Sequence, residues 1–189
     1  VSARIETPAE AGFGGPFHAA LTIPVGFALN PRKYLAGLVA AAQTLGVRFF
    51  EQSAALSIER QTVRTSQGTV RAERVIVATN GYSSEDVPGG MRGRYMPTQS
   101  DVLVTRPLTD AELSAQGWTS AQMAYDTRRL LHYFRLMPDR RFLFGVRGGL
   151  RGGPGSEARA RAAVLRDFRA MFPAWRDVEV THAWSGLVC

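Results

Sequence analysis

The most informative segment of the chain is Arg74-Val75-Ile76-Val77-Ala78-Thr79-Asn80-Gly81-Tyr82. Its centre is continuously apolar and rich in β-branched residues, which is typical of a strand covered on both faces in a parallel sheet. Ligands of open α/β sheets bind just past the carboxyl ends of such strands. The turn Thr79-Asn80-Gly81 is therefore a place where a ligand could meet backbone amides. A plain buried strand followed by a turn is the alternative.

An αβ unit and a β-meander are predicted before this segment. Asn30 supplies an N-cap and Pro31 the favoured first helical position, apolar residues recur at helical spacing, and Gly46 ends the run. Val47-Arg48-Phe49-Phe50 then has the β-branched and aromatic content of a strand. Short segments separated by a Gly-containing turn predict the meander over residues 54–72.

The chain after this segment predicts mainly antiparallel structure. A Pro- and Gly-rich stretch over residues 83–97 suggests a crossing between two domains. The elements predicted beyond it are a strand at 99–105, a short helix at 107–116, a hairpin at 130–137 and 141–146, a loop at 148–155, a helix from Ser156 to Pro173 and a last strand at 177–188. On the first hairpin strand Tyr133 and Arg135 share one face, because side chains alternate. The predicted fold class is α/β with an added antiparallel layer.

Composition excludes several classes of protein. The chain has 189 residues, of which 45% are hydrophobic and 21% charged, which argues against wholesale disorder, collagen-like repeats and coiled coil. No stretch approaches the roughly 20 apolar residues of a membrane-spanning helix. The single cysteine, Cys189, cannot form an intrachain disulfide or a cysteine zinc cluster, and it fits a reducing compartment. We therefore expect a cytoplasmic protein.

The net charge of +7 comes almost entirely from arginine, because Lys33 is the only lysine. The arginines are spread along the chain, whereas a nucleic-acid site clusters basic residues on one face with aromatic side chains nearby. This distribution favours a solvated surface with some internal ion pairs. We expect no nucleic-acid partner and no membrane partner.

Residue patterns also exclude several kinds of catalytic centre. His18, His132 and His182 lie far apart in the sequence and match no metal-ligand spacing, so we interpret them as structural and predict no metal site. No Gly-x-Ser-x-Gly elbow is present. The Gly-rich residues 148–155 lack the Gly-Lys-Ser/Thr ending of a P-loop, which favours a hinge or lid over a phosphate cradle.

Several local patterns, taken in their order along the chain, resemble those of a known protein family. The early patterns are Asn30-Pro31-Arg32-Lys33-Tyr34-Leu35-Ala36-Gly37-Leu38, Leu45-Gly46-Val47-Arg48-Phe49-Phe50-Glu51 and Val75-Ile76-Val77-Ala78-Thr79-Asn80-Gly81-Tyr82. The later ones are Tyr133-Phe134-Arg135, Arg141-Phe142-Leu143-Phe144-Gly145, Phe172-Pro173 and Trp184-Ser185-Gly186. In this order they resemble the FAD-dependent amine and amino-acid oxidoreductases of the D-amino-acid oxidase type, and within them the γ-glutamylputrescine oxidase-like branch.

The resemblance implies a domain organisation. Residues 28–80 and 182–189 would be part of a doubly wound FAD-binding domain, and residues 1–27 and 83–181 would form an antiparallel-sheet substrate domain. Members of this family open with a strand and a Gly-x-Gly-x-x-Gly turn and close with a second Gly-rich segment, and both are missing here. We therefore expect an internal fragment that does not retain FAD alone. Exposure of Val75 to Ala78 would count against the whole assignment.

The resemblance also implies functional residues, although no catalytic residue. The cofactor would be met by the backbone of one strand, by the turn already described and by the end of the chain, at Ala55, Ala78, Thr79, Asn80, Gly81, Trp184 and Gly186. Tyr133 and Arg135 would belong to the sheet that roofs the substrate cavity. Arg135 could grip a substrate carboxylate with Tyr133 as hydroxyl partner. An interface ion pair and a packed tyrosine are the alternative roles.

The implied reaction is oxidation of a C–N bond, in which a hydride passes from the carbon next to the amine to the flavin and water hydrolyses the imine. Two other functions stay open. One is a noncatalytic interaction module that keeps the substrate-domain sheet, and the other is a flavin dehydrogenase or monooxygenase of the same architecture. A reading frame that continues on both sides into dinucleotide-binding glycine motifs would favour the enzyme over the module.

Overall fold

The computed structural model describes residues 2–148 and 154–189. Its helices are α1 (Pro31–Thr44), α2 (Asp110–Gln116) and α3 (Pro154–Met171). Its strands are β1 (Arg4–Glu6), β2 (Ala20–Thr22), β3 (Ala55–Glu59), β4 (Thr62–Thr65), β5 (Thr69–Arg71), β6 (Thr98–Pro107), β7 (Ala124–Tyr125), β8 (His132–Leu136), β9 (Arg141–Arg147) and β10 (Val180–Val188). Short 3₁₀ turns lie at Asn80–Tyr82 and Pro173–Trp175.

The chain divides into two compact units. Unit 1 comprises Val1–Val25 and Pro97–Val188, and unit 2 comprises Gly26–Met96 with Cys189. One of the boundaries between them, from Met96 to Pro97, falls at the end of the Pro- and Gly-rich segment. The predicted mixture of helices and strands is confirmed, and every strand pairing in the described residues is antiparallel.

Unit 1 is built on a five-stranded sheet with the order β10-β6-β9-β8-β7. Helix α3 covers one face of it, because Val164, Phe168 and Met171 lie on the inward side of the helix. The predicted hairpin, the preceding strand and the last strand form this sheet, as the alternating pattern indicated. The core between sheet and helix is aromatic and fully buried at Trp118, Phe142, Phe144, Phe168, Phe172 and Trp175.

Helix α2 carries a complete capping box. Thr109 Oγ1 accepts the Glu112 N–H, and the Glu112 carboxylate accepts the Thr109 N–H at 2.8 Å. Arg106 donates two further hydrogen bonds to the same carboxylate, at 2.6 and 3.0 Å. These bonds, first that from Arg106 and then that from the Thr109 backbone, lower the pKa of Glu112 from 4.5 to about 2.

The lowered pKa of Glu112 predicts a pH dependence of stability. The folded state holds the carboxylate more firmly than the unfolded chain, so its contribution is full above pH about 5 and is lost as pH falls toward 2. Glu112→Gln should therefore lower the urea midpoint at pH 7 and flatten its decline between pH 5 and pH 3. Glu59→Gln, at an exposed position of β3, is the control. A steep acid decline that survives in Glu112→Gln would contradict the prediction.

Unit 2 contains α1 and the predicted three-stranded meander of β3, β4 and β5. The Asn30 side chain accepts the Lys33 N–H at 3.0 Å, Pro31 is the first helical residue, and Gly46 has a φ of 84° just after the helix. These caps confirm the predicted bounds of α1. None of its residues is buried, however, so its apolar stripe faces no packed neighbour in the structure.

Two predicted strands are absent from unit 2. Residues 47–50 and 74–79 form no strand in the structure, and Ile76 exposes 89% of its surface. A strand in a parallel sheet needs hydrogen-bonding neighbours, and no described strand lies beside either segment. The prediction that Val75 to Ala78 forms a buried strand of a parallel sheet is therefore wrong for this structure.

Two smaller points concern the end of unit 1. The helix expected from Ser156 begins at Pro154, a residue favoured at the first helical position, so Ser156 lies inside the helix and not at its N-cap position. Most of the Gly-rich loop predicted at 148–155 lies outside the described residues. None of the described helices is apolar enough over a sufficient length to cross a membrane.

Candidate functional site

The face of the unit 1 sheet that α3 leaves uncovered gathers several of the predicted residues. Pairing across four strands sets Trp184 opposite Val102, Val102 opposite Gly145, and Gly145 opposite Tyr133. Directly opposed residues of antiparallel strands point to the same side. Leu103 follows Val102 and Phe144 precedes Gly145, and the side chains of Leu103 and Phe144 point into the core instead. We call this uncovered side the open face.

Tyr133 lies flat on the open face. A Cβ added at Gly145 would come closer than 3.0 Å to three atoms of the Tyr133 ring, so the ring rests directly on the backbone of β9. The hydroxyls of Tyr133 and Ser100 are 2.8 Å apart and form a hydrogen bond. Tyr133 therefore has a fixed position, with its hydroxyl held at the β6 strand.

Arg135 lies two residues along β8 on the same open face. Its Nε is buried and has no hydrogen-bond partner, and no carboxylate of the described residues pairs with its guanidinium. A buried donor without a partner is costly, so such groups in native structures call for an explanation. A bound carboxylate would be met by the terminal nitrogens of the guanidinium, because its fork of N–H groups matches two carboxylate oxygens.

Trp184 and Gly186 lie on the same open face. Trp184 exposes 52% of its surface, and Gly186 pairs with Ser100, beside the Tyr133 hydroxyl. The structure therefore brings together the predicted residues Tyr133, Arg135, Trp184 and Gly186 on one side of one sheet. The exposed indole beside a residue without a side chain is a surface that a planar ring system fits.

The remaining predicted cofactor residues lie in unit 2. Ala55 begins β3 opposite Thr65, and Ala78 and Thr79 are exposed. Asn80 has a φ of 48°, and its Oδ1 accepts the Gly81 N–H at 2.7 Å and the Cys189 N–H at 3.2 Å. The N–H of Gly81 is thus already occupied.

Occupied amides continue beyond Gly81. The Tyr82 and Ser83 N–H groups donate to the Thr79 and Asn80 carbonyls, within the 3₁₀ turn. The turn at which the sequence predicts that a ligand could meet backbone amides therefore has three successive amides engaged. Among the described residues, this turn does not fit a phosphate group as the anion site of a helix N-terminus would.

The sequence missed two residues of the open face and a buried polar cluster. Ser100 and Gly145 belong to ordinary strand patterns, and only the register that pairs β6 with β9 and β9 with β8 reveals them. His132 lies on the α3 side, with Nδ1 2.7 Å from Asp126 Oδ2 and Nε2 3.3 Å from Asp167 Oδ2. It is a satisfied structural residue, as expected, and the described residues contain no group that could hold a metal ion.

The fold of the chain recurs in solved proteins. Unit 1 is an antiparallel sheet with α3 on one side and, on the other, an arginine with which no carboxylate of the described residues pairs. A solved glycine oxidase from Geobacillus kaustophilus has the same fold, with a TM-score of 0.71 at 18% identity over 99% of this chain and 51% of that chain. L-Proline dehydrogenase from P. horikoshii gives a TM-score of 0.70 at 16% identity, over 98% of this chain and 52% of that one.

The family to which the chain belongs is one of flavoprotein oxidoreductases. The pattern of the FAD dependent oxidoreductase family, DAO, matches residues 2–189, and the chain belongs to this family. The resemblance stated from the sequence is confirmed. The match holds although the exposure of Ile76 was expected to count against it, because it extends over nearly the whole chain and does not depend on one segment.

Curated relatives of the chain are also oxidoreductases by name. Gamma-glutamylputrescine oxidoreductase from Escherichia coli is 30% identical over 161 residues, and a probable oxidoreductase, OrdL, from Haemophilus influenzae is 29% identical over 165 residues. Both alignments cover 84% of this chain. The chain spans 37% of the length of each of these relatives.

Proposed function

We propose that the chain is part of an FAD-dependent oxidoreductase that oxidises the C–N bond of an amine or amino acid. The observation that carries this proposal is the half-buried guanidinium of Arg135, with which no carboxylate of the described residues pairs, beside the fixed Tyr133 on the open face. The names of the relatives, which include an oxidoreductase of γ-glutamylputrescine, a glycine oxidase and a proline dehydrogenase, all point to amino compounds. A small amino compound is therefore the proposed partner.

In this proposal Arg135 binds the substrate carboxylate through two parallel hydrogen bonds. Binding the carboxylate end of the substrate fixes the orientation of the amine-bearing carbon. The reacting groups are then already in position, so the reaction step becomes effectively unimolecular. Tyr133 limits the site on the β6 side, where Ser100 holds its hydroxyl. The chemistry that a bound FAD would supply is the uptake of a hydride, with its two electrons, from the carbon next to the nitrogen, which would leave an imine for water to hydrolyse.

We propose that FAD contacts this chain on the open face at Trp184 and Gly186, where the exposed indole supports the assignment. Ala55 and Ala78 to Gly81 remain proposed backbone contacts, with the N–H of Gly81 needing release from Asn80 first. Residues 28–80 and 182–189 are proposed as the share of the FAD-binding domain, and residues 1–27 and 83–181 as that of the substrate domain. The single cysteine supports a cytoplasmic location.

The proposal predicts that the full-length protein is yellow and loses its flavin absorbance when an accepted substrate is added without oxygen. The measurement is an anaerobic titration with glycine, L-proline and γ-glutamylputrescine, followed by a wider panel of amines. Bleaching by an amino compound, and none by hydroxy acids of the same size, would support C–N oxidation. A flavin that no amine reduces would favour the noncatalytic module.

A further inference from the structure

The backbone conformation at Gly145 does not explain why a glycine occupies this position. It lies within β9 and is buried, and it is not among the glycines with positive φ. Any residue could adopt its backbone angles, and an internal strand glycine weakens the sheet because it has no side chain to pack. A glycine in a strand often marks a close approach by another group.

That group is the ring of Tyr133. A Cβ at Gly145 would lie within 3.0 Å of its Cζ and Cε2 atoms and of the attached Oη, so the end of the Tyr133 side chain would have to shift. The Tyr133 hydroxyl is hydrogen-bonded to Ser100 at 2.8 Å, so a shift of the ring would stretch or break that bond. Because Gly145 has no side chain, the Tyr133 ring can lie directly on the sheet, where the Tyr133 hydroxyl is hydrogen-bonded to Ser100.

We infer that Gly145 is a positioning residue that sets the depth of the substrate site above the sheet and therefore the size of substrate that fits. This inference rests on the proposed function. Any larger residue at this position would lift the Tyr133 ring into the space above β9 and β6. Arg135 lies two residues beyond Tyr133 along β8, about 7 Å away. The lifted ring would then obstruct the chain of a substrate whose carboxylate Arg135 holds, and long chains more than short ones.

The hydroxyl pair strengthens this arrangement. When two hydroxyls form one hydrogen bond, one donates and the other keeps its own proton for a further acceptor. The Tyr133 and Ser100 hydroxyls therefore retain one donor on the open face, at a fixed place. Lifting the ring would remove this donor and the steric fit together, so Gly145 acts on the site entirely through Tyr133.

The experiment uses the full-length protein and two readouts. Gly145→Ala is compared with Gly148→Ala, where an added Cβ would meet only Leu130 Cδ1, at 3.7 Å. The first readout is the NMR resonance of the Tyr133 ring in protein labelled with ¹³C-tyrosine, assigned by its loss in Tyr133→Ala. Gly145→Ala should shift this resonance and Gly148→Ala should leave it in place. An unmoved resonance in Gly145→Ala would overturn the inference without any substrate.

The second readout is the binding of acetate, butyrate and hexanoate by calorimetry. Gly145→Ala should weaken hexanoate binding about tenfold more than acetate binding, a size of effect typical of overpacking. Gly148→Ala should change neither. An equal loss for acetate and hexanoate overturns the inference alone. Failure of the unaltered protein to bind any of the three carboxylates overturns the proposed site, and the inference with it.

A double variant covers the case in which Gly145→Ala does not fold. Without the Tyr133 ring a methyl group at position 145 meets no obstacle, so Tyr133→Ala and Tyr133→Ala/Gly145→Ala should bind the three carboxylates equally. A further loss in the double variant would mean that Gly145 acts through some other contact, and it would contradict the inference.

Discussion

Arg135→Ala should raise the Michaelis constant for a carboxylate-bearing amine by about 10- to 150-fold, because a hydrogen bond to a charged group contributes about 1.5–3 kcal/mol. The same variant should change the Michaelis constant for the matching amine without a carboxylate by less than about twofold. Steady-state kinetics of the full-length protein with both substrates measures this difference. Arg135→Lys should fall between, since an ammonium offers a point charge without the planar fork.

The matched control for this prediction is Arg64→Ala, at an exposed position of β4 in the other unit. It removes the same charge from the protein without touching the open face, so it separates a local effect from a change in net charge. An equal rise for the acid and the plain amine in Arg135→Ala would refute the carboxylate clamp. Arg135 would then have only a structural role.

Phe172→Ala should lower the free energy of unfolding by about 3–5 kcal/mol, the usual loss for a large aromatic side chain removed from a core. The Phe172 ring has no exposed surface and meets the rings of Phe17, Trp118, Phe134, Phe142, Phe144, Phe168 and Trp175. Such a loss is a large share of the 5–15 kcal/mol that holds a typical domain folded. Urea unfolding followed by tryptophan fluorescence measures it, since two tryptophans lie in this core.

The control is Phe27→Ala, because Phe27 exposes 79% of its surface. That change should move the free energy of unfolding by no more than about 0.5 kcal/mol. A loss in Phe172→Ala as small as that in Phe27→Ala would mean that the aromatic cluster is not the core of unit 1. A changed slope with denaturant would instead indicate a change in the unfolded chain.

Local chemistry made part of this fold predictable. The caps at Asn30, Pro31 and Gly46 identify α1 because each acts within one helical turn of its own position. The hairpin of β8 and β9 follows from alternation and a short turn, and it places Tyr133 and Arg135 on one face without any knowledge of the rest. Signals of this kind depend only on neighbours in the sequence.

Predictions that needed distant partners were less successful. The segment around Ile76 has the composition of a central strand, but composition supplies no neighbouring strand to bond with. Ser100 and Gly145 were missed because their place in the site depends on strand register. The register of β6 with β9 joins residues more than thirty positions apart and leaves no local mark, and only the register within the β8–β9 hairpin sets Gly145 opposite Tyr133.

The division of unit 1 by the segment from Gly26 to Met96 has a consequence for how the protein is made. Phe13 packs against Trp118 and Phe17 against Phe134, so a ribosome must synthesise the whole intervening stretch before these rings can meet. The entropy lost in closing so long a loop slows folding. The segment that carries Phe13 and Phe17 must therefore wait until the later half of its own unit has been synthesised.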